Sequence, residues 1–107
     1  RQLMDKAAFF DALRLQRRTV QVPGTELEMV LQELSAADQA EVFKQCAGKG
    51  PHEVAAVAVC ISCPDLDLDD APRLLNEVNA AALMKLSEQV FEFSGITDDA
   101  VDDAKKD

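Results

Sequence analysis

The chain predicts a small, mainly helical domain of about four to five helices with one short β-hairpin near the N-terminus. Three observations carry that expectation. Apolar residues recur at helical spacing through most of the 107 residues. One early stretch switches to strict alternation around Pro23-Gly24. Elsewhere proline and glycine fall where helices start or stop. The predicted organisation is one domain over 4–96, its hairpin at about 19–33, and a short acidic segment over 97–107. Arg1–Leu3 precede Met4-Asp5-Lys6, which reads like a native start, and are taken as a remnant.

Met4 to Leu13 reads as the first helix, because Phe9, Phe10 and Leu13 share one side at i, i+3 and i+4 spacing. The basic cluster Arg14, Arg17 and Arg18 follows, where cations suit a helix C-terminal end. Thr19-Val20-Gln21-Val22 then alternates polar and apolar. After Pro23-Gly24, Leu27, Met29 and Leu31 alternate with Glu28, Val30 and Gln32, which predicts a hairpin. A lone hairpin is marginal in water, so this one must lean on helices or on another subunit. Its strand edge is also the one place in the sequence that invites pairing with another chain.

Ser35-Ala36-Ala37-Asp38 predicts a capped helix start, with Asp in the place of the usual Glu or Gln. That helix is expected to turn Ala36, Ala40, Phe43 and Ala47 to one side and to end at Gly48 and Gly50. Pro51 and Glu53 suit the next first turn. Val54–Ile61 is apolar on every side, so periodicity alone leaves strand and helix open. Gly-Pro ahead of it, and Val54, Val57 and Ile61 on one stripe, favour a buried helix. Pro64 stops it. Asp65–Asp70 is a polar connection leading into the longest predicted helix, on which Leu75, Val78, Ala82, Leu86, Val90 and Phe93 step by three or four residues. Asn79 interrupts that stripe, as a satisfied buried amide or as a residue facing a partner, with the buried amide favoured. Ser94-Gly95 closes the helix, and Thr97 is expected to cap the acidic end, which holds few apolar residues and is expected to fray without a partner.

The composition narrows the function classes. Hydrophobic residues make up 48%, which is globular and not disordered, and the aromatic residues are five Phe with no Trp or Tyr. The formal charge of −9 repels polyphosphates and anionic membranes, so neither nucleic acid nor membrane is an expected partner. Three cysteines fit a reducing compartment better than a disulfide scaffold. Val54–Ile61 is too short an apolar run to span a bilayer.

Motifs for chemistry are sparse. Cys60-Ile61-Ser62-Cys63 is a Cys-x-x-Cys, and Cys46 and His52 are the only further soft ligands for zinc. The pair closes an apolar run before Pro64, whereas a thiol-redox pair opens a helix after a strand. Two core-facing thiols are the favoured reading. Asp65-x-Asp67-x-Asp69 imitates a calcium loop, but Asp70 stands where Gly is needed and Asn76 where Glu is needed. The acids suit a helix start instead. His52 is the sole histidine, and no serine has a nucleophile-elbow context. No enzyme activity, cofactor or metal is expected.

The order of signals then becomes informative. A Phe-bearing first helix precedes Thr19-Val20-Gln21-Val22-Pro23-Gly24, followed by Val30-Leu31-Gln32-Glu33-Leu34-Ser35-Ala36-Ala37-Asp38-Gln39. A buried Ala/Val helix, a long helix and Phe93-Ser94-Gly95-Ile96-Thr97 complete it. From about Met4 to Lys106 this resembles the tail assembly chaperones of long non-contractile-tailed bacteriophages, which carry a similar Val-Pro-Gly then Glu-Leu-Ser-Ala opening and a similar Gly-Leu-Thr close. The resemblance implies a chain that binds the tape measure protein, keeps that long apolar helical client soluble and recruits tail tube protein. It implies self-association into multimers, a longer frameshifted form, residence in the host bacterial cytoplasm, and absence from the mature virion. The cysteine pair and the Asp65–Asp70 run are not part of the likeness.

Partner-contacting residues are expected on the hairpin (Val20, Val22, Leu27, Met29 and Leu31) and on the long helix (Leu75 and Asn79). Two readings from other classes stay open. One is a small metal or thiol-redox protein using Cys60 and Cys63, which predicts bound metal or a thiol of depressed pKa. The other is an acidic regulator that mimics DNA, which predicts a continuous acidic ridge.

Overall fold

The computed structural model describes residues 3–96, and the acidic segment expected over 97–107 lies outside the described residues. Five α-helices and one antiparallel hairpin make up the described fold, in the order α1 (Lys6–Ala12), β1 (Arg17–Gln21), β2 (Glu28–Gln32), α2 (Ala36–Cys46), α3 (Pro51–Ser62), α4 (Ala71–Glu77) and α5 (Ala80–Phe93). A single 3-10 turn, Leu68–Asp70, leads into α4.

The hairpin pairs Val20 with Met29 and Arg18 with Leu31. Thr25 N–H donates to the Val22 carbonyl at 3.0 Å, closing a turn with Pro23 and Gly24 at its centre. Gly24 has φ +77°, the left-handed value that position of a type II turn demands and that a side chain would strain. In this register Val20, Val22, Met29 and Leu31 share the face turned to the helices, as the alternation predicts. Arg17 and Arg18 belong to β1, so they do not close the first helix as expected. The strand takes them because Arg17 Nε donates to the Gln32 side chain across the ladder and Arg18 lies over the Phe93 ring at 4.3 Å.

At the centre is α3. It touches β2, α2, α4 and α5, and it is buried on nearly all sides. This is the helical outcome for the run that periodicity left open. Ala55, Ala56 and Ala58 let neighbouring backbones come close, while Val54 and Val59 fill the space between. One polar group is enclosed with them: Ser62, 1% exposed, donates its hydroxyl to the Gln32 carbonyl at 2.7 Å. On the other side of the hairpin's end, Leu34 N–H donates to Ser94 Oγ at 2.9 Å. Two hydroxyls thus tie the exit of β2 to α3 and to the end of α5.

The capping box at Ser35 and Asp38 forms as predicted, each side chain accepting from the other's backbone N–H. The buried side of α2 is Val42 and Cys46, with Phe43 half-covered, while Ala36, Ala40 and Ala47 face solvent. The expected alanine stripe is therefore displaced around the helix. Alanine offers little area, so the larger apolar side chains decide which side is buried.

The expected long helix is two helices. Val78 takes extended geometry (φ −110°, ψ 145°) and Asn79 caps α5, its side chain accepting from Ala82 N–H at 3.1 Å. Asn79 is exposed, so it is a helix cap and not a buried amide. Leu83, Leu86 and Val90 are the buried line of α5, and Leu75 and Val78 lie outside it. At the far end Ile96 N–H donates to the Phe91 carbonyl and Gly95 N–H to that of Glu92. Gly95 has φ +74° there, which makes the helix ending a Schellman motif.

Candidate protein-binding surface

The exposed large apolar residues are concentrated at the start of the described chain. Leu3, Met4, Phe9, Phe10, Leu13 and Leu15 are all exposed, Phe10 at 65% and Leu13 at 68%. Locally α1 is well made: Asp5 caps it by accepting from Ala8 N–H at 2.8 Å, and Leu13 N–H returns to the Phe9 carbonyl. Phe9 and Phe10 pack edge to face, with centroids 5.5 Å apart. Yet among the described residues nothing buries any residue of α1. With Leu3, Met4 and Leu13 it lines an open concavity of about 570 Å³. The expected grouping of Phe9, Phe10 and Leu13 holds in sequence, but the group covers no core.

This arm differs in charge from the remainder. Residues 3–18 carry four basic side chains against two acidic ones, Asp5 and Asp11. The sequence as a whole has 20 acidic and 11 basic residues. Arg14 pairs with Asp11 at 2.6 Å on the exposed surface, a contact worth little in water.

The hairpin residues separate into two groups. Leu31 is 1% exposed and belongs to the core. Val20 and Met29 are half-buried against that core, and Val22 is half-buried beside the turn. Leu27 alone of the five is well exposed, at 69%. Val20 and Leu31 line a groove of about 260 Å³ with Arg18, Gln89, Glu92 and Phe93, where the hairpin meets α5. Asn79 lines another, of about 380 Å³, with Pro23, Gly24 and Lys85. The two expected partner elements therefore adjoin, although Leu75 and Asn79 sit on different helical segments. Alternation in the ladder leaves the outward backbone groups of Arg17, Thr19 and Gln21 along the free edge of β1.

The groups with chemical potential are occupied structurally. Cys46, Cys60 and Cys63 are all free and buried. Burial pushes the Cys60 thiol up to about 11, and the nearby Asp70 and Asp67 charges add to it. Burial also raises Cys46, whose thiol points at the Glu53 carbonyl at 3.7 Å. These are the opposite of a thiolate activated for exchange. The pair closes α3 and opens no helix of its own. Asp67 and Asp70 form a second capping box at the 3-10 turn, Asp67 accepting from Asp69 N–H and Asp70 from Asp67 N–H. His52 is exposed. Among the described residues no three His, Cys, Asp or Glu side chains gather as a metal site.

The surface that sequence reasoning missed is the arm itself. Its signal was present: six large apolar residues between Leu3 and Leu15 beside three arginines, on a segment without a second apolar turn to pack on. No family model, curated protein or solved structure matches the chain.

Proposed function

We propose that this chain is a non-catalytic polypeptide-binding protein, and specifically a phage tail assembly chaperone that holds the tape measure protein soluble and promotes tail tube assembly in the host bacterial cytoplasm. The observation that carries the binding part is α1, a helix with two phenylalanines, capped at its start and covered by nothing among the described residues. Soluble proteins rarely leave such a patch without a use. A client with apolar helical stripes is the complementary surface, since helices recognise one another through apolar residues at i, i+3 and i+4. The order of sequence signals supports the narrower identification.

The test is co-expression with a candidate tape measure protein from the same genome. The expected result is a larger soluble fraction of that client, falling back toward the unassisted level with the Phe9→Ser/Phe10→Ser double variant. An unchanged client with the parent chain sinks the proposal.

A further inference from the structure

We propose that the acidic segment following Ile96 folds back onto the free edge of β1 in its own chain and covers it. The ladder defines that edge. Val22 N–H donates to the Leu27 carbonyl and Glu33 N–H to the Gln16 carbonyl, so the even-numbered residues of β1 turn their backbone groups to β2. The N–H groups of Arg17, Thr19 and Gln21 point the other way, and none meets an acceptor among the described residues. Exposed donors of this kind invite a partner that brings acceptors. The surrounding stretch, 14–25, holds Arg14, Arg17 and Arg18 and no acid, in a chain of formal charge −9. Three carboxylates share the surface: Asp11 pairs with Arg14, Glu33 accepts from Gln16 N–H at 2.6 Å, and Glu92 lines the groove with Arg18. Neither Arg17 nor Arg18 forms an ion pair with a described carboxylate.

The chain carries the complement to this edge. Arg18 lies over the Phe93 ring at 4.3 Å and Leu34 N–H donates to Ser94 Oγ at 2.9 Å, so α5 ends beside the open end of the hairpin. Ile96 still packs on the core. Next in sequence come Asp98-Asp99-Ala100-Val101-Asp102-Asp103, two acid pairs around a small apolar pair. The eleven residues of 97–107 reach up to roughly 36 Å when extended, and the five residues of β1 span about 17 Å. The carboxylates accept from the two arginines and the outward N–H groups. Val101 enters the groove of about 260 Å³, where Val20, Leu31 and Phe93 form the apolar wall. The tether holds the segment at a local concentration that a free acidic peptide does not reach. A polypeptide that adds a strand to β1 must first displace it. The contact lies within one chain and stands whether or not the client is a tape measure protein.

The test is paramagnetic relaxation on the full chain with a spin label at Ala104→Cys, which the label reaches selectively because Cys46, Cys60 and Cys63 are buried. Relative to the reduced label, the amide resonances of Arg17, Thr19 and Gln21 should be strongly attenuated. Full intensity should return with Arg17→Gln/Arg18→Gln, with Asn at Asp98, Asp99, Asp102 and Asp103, and in about 1 M salt, where the screening length is about 3 Å. Arg17 and Arg18 are exposed, so their variant should keep the parent's circular dichroism. Isotope-labelled chain without the spin label, mixed with spin-labelled chain without the isotope, should show no attenuation. Undiminished β1 resonances in the parent overturn the proposal, as does attenuation that survives either set of substitutions. Attenuation in the mixed sample assigns the contact to a second copy and overturns it too. Client solubility in the co-expression test is read separately, so the two proposals fail independently.

Discussion

Replacing Ser62 by alanine tests whether the hairpin is held by the helical core. The hydroxyl is 1% exposed and donates to the Gln32 carbonyl at 2.7 Å, so water does not replace it without rearrangement. A neutral hydrogen bond is worth about 1 kcal/mol net, and an orphaned, part-buried carbonyl costs about 1–3 kcal/mol. Alanine returns roughly 0.5 kcal/mol through its better helix propensity. The balance is a loss of about 1.5 kcal/mol, and for a domain of this size that lowers the melting midpoint by roughly 6–12 °C. Thermal unfolding followed by circular dichroism reads it. Ser94→Ala should act in the same direction, since it strips the partner from the buried Leu34 N–H. A Ser62→Ala midpoint equal to the parent's refutes the claim that this bond anchors the hairpin.

Asn79→Ala separates two helices from one, because the sign of its effect differs. A cap residue lost from the start of α5 costs about 1 kcal/mol, whereas alanine inside a continuous helix stabilises by a few tenths. Chemical denaturation decides, and Asn79→Asp should behave like the parent. Cys60 should resist iodoacetamide at pH 8 until the chain is unfolded, because its thiol is buried and held up to about 11. The linkage has a definite sign. The unfolded thiol ionises near 9.0 while the folded one keeps its proton, so stability falls as pH rises from 9.0 toward about 11. Urea midpoints at pH 8 and pH 10 check it, with Cys60→Ala expected to flatten the decline.

Most elements were legible because their local chemistry and their burial agree. Pro23-Gly24, Ser35 with Asp38, Pro51 and Gly95 each do at their own position what their residue type does best, and each marks a real boundary. The errors arose where a regular pattern had two physical uses. Leu75 to Phe93 keeps helical spacing across Asn79, yet spacing carries no information on whether Asn79 turns its amide outward or back onto Ala82 N–H. The alanines of α2 keep the period of a buried stripe but lack the area to claim it from Val42 and Cys46. The hairpin residues were grouped correctly by face, but alternation cannot say which side of the sheet the helices cover. Leu31 therefore reads equally as core or as contact until α3 and α5 are placed. The phenylalanines of α1 were legible as a group and not as a surface, because sequence gives the stripe without showing that nothing lies beneath it.

That uncovered stripe has a consequence for α1 itself. A helix of seven residues is well below the length that sustains itself in water, where nucleation is costly and each added bond returns little. The Asp5 cap offsets only one turn's worth of that cost. The helices behind the core escape the problem by burying a face, as α3 does almost completely. Among the described residues nothing covers α1, so under the proposed binding role Phe9, Phe10 and Leu13 are the contacts through which its helicity would be sustained. Binding and ordering of the arm are then one event. Part of the gross contact energy is spent on folding the segment, which moderates affinity over a large apolar surface. Under the proposed chaperone role, that moderation suits a client that is held and then released.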